Sequence, residues 1–152
     1  MEEETLNPDY VEMLAALSAA DAEYLVVDAH ALAAHGVPRA TGDLDIWVRS
    51  TAANVERVWR ALVEFGAPLH ELTAEDLTRP DVVFQIGIVP RRIDLLTSIA
   101  GVDFEAAWKN RTRVDIEGME VPVLGRAELI RNKRAVGRAR DLADIEDLTE
   151  AE

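Results

Sequence analysis

Residues 25–46 read Leu25-Val26-Val27-Asp28-Ala29-His30-Ala31-Leu32-Ala33-Ala34-His35-Gly36-Val37-Pro38-Arg39-Ala40-Thr41-Gly42-Asp43-Leu44-Asp45-Ile46. The apolar run that begins at Tyr24 has the length of a buried strand. It gives way to an alanine-rich stretch, Ala29 to His35, that stops at Gly36 as a short helix does. Pro38 and Gly42 punctuate a loop. Asp43-Leu44-Asp45-Ile46-Trp47-Val48 then alternates with period two and reads as a second strand. Side chains two apart on a strand share a face, so Asp43 and Asp45 project together while Leu44 and Ile46 point into the core. Two carboxylates crowded on one face repel each other unless a cation lies between them. A hard divalent ion such as Mg²⁺ takes oxygen ligands of this kind. For a lone Asp-x-Asp, a solvent-facing strand with ordinary acids is the plain alternative.

Upstream, Asn7-Pro8 reads as a helix cap followed by proline at the first helical position, opening a helix to about Ala20. Downstream, Ser50 is positioned to cap a helix carrying Val55, Val58, Trp59, Leu62 and Val63, with Gly66 closing it. A loop or short helix runs to Pro80. Val82–Val89 and Arg92–Leu96 read as strands joined tightly around Pro90-Arg91 in an antiparallel hairpin. Asp103 caps a short helix through Phe104 and Trp108. Thr112–Ile116 and Met119–Val123 form a second hairpin, turning near Glu117-Gly118. Two helices, Arg126–Val136 and Arg140–Glu150, follow on either side of Gly137. Strands and helices alternate and then pair as hairpins, with no repeat or linker. This predicts one α/β (α+β) domain over residues 1–152, a single mixed sheet flanked by helices.

Asp94 is a polar residue inside the apolar strand Arg92-Ile93-Asp94-Leu95-Leu96. If that strand neighbours the Asp43–Asp45 strand, a third carboxylate completes a cluster able to hold two metal ions. Asp94 would then touch one of them or act as a general base. Pairing with Arg91 or Arg92 is the plain alternative.

Composition narrows the setting. The chain has 152 residues, 16 basic and 29 acidic, for a net charge of −13, and no cysteine. The acidic balance argues against broad binding to nucleic-acid backbones. A local exception is the segment Arg126 to Arg140, with Arg126, Arg131, Lys133, Arg134, Arg138 and Arg140. The apolar runs are too short to cross a bilayer. The lack of cysteine and of a basic leader fits a cytoplasmic protein.

The stretch from Leu25 to Ile46 resembles the signature of the nucleotidyltransferase superfamily, which shares the DNA polymerase beta catalytic fold. Arg92-Ile93-Asp94-Leu95-Leu96 resembles its third-acid strand. Asn132-Lys133-Arg134 through Arg138-Ala139-Arg140-Asp141-Leu142-Ala143-Asp144-Ile145 resembles the C-terminal helices of small stand-alone bacterial members, the minimal nucleotidyltransferases and the AbiEii-like proteins of toxin–antitoxin systems. The resemblance implies transfer of a nucleoside monophosphate from a nucleoside triphosphate to an acceptor hydroxyl, the acceptor being RNA, protein or a small molecule. It implies two Mg²⁺ ions, with Mn²⁺ as a substitute, held by Asp43, Asp45 and Asp94, and an antitoxin or other partner protein.

One departure from the family pattern bears on activity. The turn after the first strand usually carries two small residues, Gly-Gly or Gly-Ser, where the backbone approaches phosphate. This chain has Asp28-Ala29. Either Asp28 turns away, for instance to cap the helix, or its carboxylate damages the triphosphate site. Damage would leave a fold relative that binds a nucleotide or a protein. Arg39, Thr41 and Lys133 are further candidates for phosphate contact. His30 and His35 read as structural, the tryptophans as packing, and Asp141 and Asp144 as partners of Arg138 or Arg140.

Overall fold

The computed structural model describes residues 6–151, so the acidic cluster at residues 2–4 and Glu152 lie outside the described residues. Helix α1 (Pro8–Ala19) starts where expected, with the Asn7 side chain accepting from the Asp9 amide at 2.8 Å. It buries Tyr10, Met13, Leu14 and Leu17. Strand β1 (Tyr24–Val27) is buried along its whole length and runs directly into α2 (Asp28–Ala34). Strand β2 (Asp43–Val48) leads to α3 (Ala52–Phe65). The cap of α3 is Thr51 rather than Ser50, its side chain accepting from the Asn54 amide. Gly66, at φ +88°, closes the helix in the left-handed conformation that glycine adopts without penalty.

A 3₁₀ turn (Ala74–Thr78) precedes β3 (Val83–Ile86) and β4 (Arg92–Leu96). The expected strand Val82–Val89 is cut short. Gly87 turns the chain at φ +77°, leaving Ile88 and Val89 exposed in a connection of residues 87–91 that is longer than the tight turn the sequence suggested. Helix α4 (Phe104–Lys109), strands β5 (Thr112–Ile116) and β6 (Met119–Val123), and helices α5 (Arg126–Val136) and α6 (Ala139–Glu150) complete the chain. The β5–β6 turn places Glu117 and Gly118 both at positive φ, the geometry of a two-residue hairpin.

The six strands form one mixed sheet in the order β3-β4-β2-β1-β6-β5. The central β2 is antiparallel to β1 and parallel to β4. Helices α1 and α3 pack together, as do α5 and α6. Leu14, Leu17, Leu25, Ile46, Leu62 and Ile93 meet in the core, and each contributes about 1.5–3 kcal/mol through burial. Asn54 is the buried polar exception. It accepts from the Glu23 amide at 2.7 Å and donates to the Glu23 and Arg49 carbonyls at 3.0 and 2.8 Å, tying α3 to the outer ends of β1 and β2. Among the described residues no helix is long and apolar enough to cross a membrane.

Candidate active site

The parallel register of β2 and β4 decides the site. Asp43 lies opposite Arg92, and Asp45 opposite Asp94. Leu44 and Ile46 are buried on the other face, so the three acids share the outward one. Asp43, Asp45 and Asp94 each offer a carboxylate oxygen, all within 4.8 Å of one another. The convergence expected from the sequence is therefore present. Gly42 helps to seat it. A Cβ there would press on Val89 Cγ1 at 2.5 Å, and its carbonyl receives the Arg92 amide.

Arg92 stands inside the cluster. Its Nη2 donates to Asp43 Oδ2 at 2.8 Å and to Asp94 Oδ2 at 3.3 Å. Its Nε lies 3.2 Å from Asp94 Oδ1, yet both atoms are buried without a hydrogen-bond partner. Pairing of Asp94 with Arg92 and clustering with Asp43 and Asp45 thus coexist. The Asp45 carboxylate takes part in no ion pair among the described residues. Burial, and then the charges of Asp28, Asp94 and Asp43, push its carboxyl up to about 7. Burial also raises Asp94, against the lowering influence of Arg92. Three hard oxygen donors fit a divalent cation, and two observations strengthen that fit: a buried Asp94 oxygen that accepts no hydrogen bond, and like charges placed directly opposite at Asp45 and Asp94.

Beside the acids is a cleft of about 250 Å³, lined among others by Asp28, Arg39, Thr41, Lys133, Arg138 and Asp144. Asp28 sits at φ +58°, a left-handed conformation that glycine takes freely and aspartate tolerates better than most residues. It does not cap α2, whose start has no side-chain cap, so the capping role suggested by the sequence is not realised. Its Oδ1 accepts instead from Lys133 Nζ at 2.9 Å. Lys133 is buried rather than on a solvated face, and Asp144 and Asp141 also surround its ammonium at 3.4 and 3.6 Å. Burial alone would lower its pKa, but the bond to Asp28 and the charges of Asp28 and Asp144 outweigh it and hold the lysine protonated.

The other candidates are occupied locally. Arg39 pairs with Asp144 and, at 3.1 Å, with Asp147 on α6. Thr41 Oγ1 accepts from the Asp43 amide at 3.1 Å, supporting the loop just before the acids. Ala29 lines the cleft without a polar side chain. His35 Nε2 contacts the Leu124 carbonyl at 2.8 Å, a structural role. His30 packs edge-on against Tyr10 at 5.7 Å, and burial lowers its pKa. Tyr10 is a site neighbour that the sequence reading missed. Burial first, then Asp43 and Asp45, raise the pKa of its hydroxyl, while helical spacing marked it only as core.

Asp141 pairs with Arg138 as expected, accepting from Arg138 Nε at 2.7 Å and from its amide at 3.0 Å. Asp144 does not pair with Arg138 or Arg140 but turns to Arg39 and Lys133. Arg138 pulls the Asp141 carboxyl down to about 2, below the ordinary 3.8. A depressed folded-state pKa contributes stability that is complete above 3.8 and lost as pH falls through 2. Acid unfolding should therefore show this loss in the window from pH 4 to 2. Arg138→Ala should reduce it, the Arg138 amide and Lys133 still holding Asp141 down, and cost about 0.5 kcal/mol at neutral pH, measurable by urea denaturation at both ends.

No family profile and no curated protein matches the sequence. Solved structures do. A candidate nucleotidyltransferase from Thermotoga maritima, TM1012, aligns over 99% of this chain and 98% of its own, with TM-score 0.60 and 16% identity. The lincosamide antibiotic adenylyltransferase LnuA, in a lincomycin-bound structure, aligns over 99% of this chain and 100% of its own, with TM-score 0.61 and 12% identity. An antigenic nucleotidyltransferase-like protein from Paracoccidioides brasiliensis aligns over 94% of this chain and 74% of its own, with TM-score 0.52 and 16% identity. The chain has the fold of these proteins.

Proposed function

We propose that the protein is a divalent-metal-dependent nucleotidyltransferase, one domain that moves a nucleoside monophosphate from a nucleoside triphosphate to an acceptor hydroxyl. The observation that carries this reading is the convergence of Asp43, Asp45 and Asp94 within 4.8 Å, with an unpartnered buried oxygen among them, at the mouth of a cleft holding a charged lysine. In the transfer, the acceptor oxygen bonds to the α-phosphorus, the bond to the bridging oxygen breaks, and pyrophosphate leaves. Asp43, Asp45 and Asp94 would hold Mg²⁺, or Mn²⁺ in its place, which would supply charge neutralisation and a lowered pKa for the acceptor hydroxyl. The protein's own groups do the rest. Asp94 accepts the hydroxyl proton, Lys133 offsets triphosphate charge, and Arg138 and Arg140 add positive charge at the rim. Such chemistry is mostly positioning and electrostatics, which a rigid sheet face supports. A triphosphate donor also points to the cytoplasm.

The test is to incubate the protein with each α-labelled triphosphate, Mg²⁺ and separate pools of RNA, protein and small-molecule extract. Label should enter one pool and vanish with Asp43→Ala. Silence with all four nucleotides in every pool would sink the reading.

The Asp28–Lys133 contact supports a second reading, in which activity is impaired and the fold serves to bind a nucleotide or a partner protein such as an antitoxin. In it, the Asp28 carboxylate occupies the lysine that the triphosphate needs. Asp28→Gly suits the left-handed backbone and removes the nearest of the three carboxylates around Lys133. It should tighten equilibrium binding of a fluorescent triphosphate by about tenfold, the loss of one charged competitor. Unchanged affinity would remove the competition, and transfer gained only in the variant would favour the impaired reading.

A further inference from the structure

Asp43, Asp45, Arg92 and Asp94 form two cross-strand pairs on one face of the sheet. The first, Asp43 with Arg92, is of opposite charge and closed at 2.8 Å. The second, Asp45 with Asp94, is of like charge, and directly opposed like charges destabilise a sheet. Arg92 spans the two pairs through its contacts to Asp94 and gives nothing to Asp45. One of the cluster's three negative charges is thus already offset, by a guanidinium that reaches Asp43 and Asp94 and leaves Asp45 unanswered.

We propose that Arg92 is a built-in monovalent cation that fills one of the two cation places such a cluster would offer, so that the site takes a single divalent ion. That ion would be seated on Asp45 with one oxygen each from Asp43 and Asp94. The inference rests on reading these acids as the transfer centre's cation site. A guanidinium stays protonated at any accessible pH, and its planar fork suits bridging two carboxylates. Three carboxylates and one guanidinium leave two net negative charges, which one divalent ion neutralises. A second ion would have to displace the guanidinium from Asp43 or sit against it. The bridge uses one oxygen of Asp43 and one of Asp94 for its hydrogen bonds, leaving each a second oxygen. The second Asp94 oxygen is buried 3.2 Å from Arg92 Nε and accepts no hydrogen bond from it.

The experiment is Mn²⁺ alone, titrated to saturation and read by calorimetry for stoichiometry and by electron paramagnetic resonance for ion–ion coupling. The wild type should bind one ion per chain and show an uncoupled signal. Arg92→Met should bind two, with an exchange-coupled signal, and its first ion should bind roughly tenfold tighter because a positive neighbour has gone. Arg92→Lys, which keeps the charge, should stay at one. If Arg92→Met fails to fold, Arg92→Gln carries the same comparison. A coupled pair in the wild type, or a single ion in both neutral variants, would overturn the proposal. Absence of binding in every variant would instead remove the cation site itself, and with it the proposed function.

Discussion

Asp45→Asn is expected to abolish nucleotidyl transfer, by about 10³-fold or more, while making the metal-free protein more stable above pH 7. The two effects have one cause. Asp45 lies opposite Asp94 and near Asp43 and Asp28, with no cation paired to it among the described residues. Its carboxyl is pushed up to about 7 in the folded chain, from an ordinary 3.8. A raised folded-state pKa means stability that is complete below 3.8 and lost as pH rises through 7. Above that the folded chain carries a charge it would shed, at a cost on the order of 2 kcal/mol after allowance for partial solvation. Asparagine keeps the shape and removes that cost. Urea denaturation at pH 5 and pH 8 checks the sign: the stability gap between variant and wild type should widen at the higher pH. Because the variant gains stability, its lost activity could not be blamed on unfolding.

Lys133→Met should have the opposite profile, costing about 3 kcal/mol of stability and about 10 °C in Tm. The ammonium is buried among Asp28, Asp141 and Asp144 at 2.9, 3.6 and 3.4 Å. Methionine fills much of the volume but leaves the acids facing one another. The cost falls at the low end of the range for a broken buried pair, because Arg138 still answers Asp141 and Arg39 still answers Asp144. Asp28, half exposed, can turn to solvent. Thermal unfolding followed by circular dichroism measures the shift. Adding Asp28→Asn to Lys133→Met should recover part of the loss, since one of the three carboxylates left facing one another then carries no charge. A Tm within 2 °C of wild type would contradict the buried-cluster account.

The acids were legible in the sequence because their signals are local. Period-two alternation assigns Asp43 and Asp45 to one face, and an acid within Ile93-Asp94-Leu95-Leu96 stands out from its strand. The elements themselves followed from caps and breakers, with small errors where two residues compete. Ser50 and Thr51 are both good caps, and Gly87 ended a strand that composition alone would have continued. What stayed hidden depends on register and distant pairing. That Arg92 faces Asp43 follows from which strands align, and no local pattern carries it. Arg39 and Lys133 find their partners 105 residues away in the chain. The left-handed backbone at Asp28 is equally silent, since aspartate is at home in several conformations.

The most direct test of the central claim is the unfolding temperature of the metal-free protein at pH 8, with and without millimolar Mg²⁺. If Asp43, Asp45 and Asp94 form a cation site, Mg²⁺ binds the folded chain alone and relieves its repulsion, so the midpoint rises with concentration. Asp45→Asn should start higher and respond little. A wild-type midpoint indifferent to Mg²⁺ and to Mn²⁺, or an equal rise in the variant, would contradict the account.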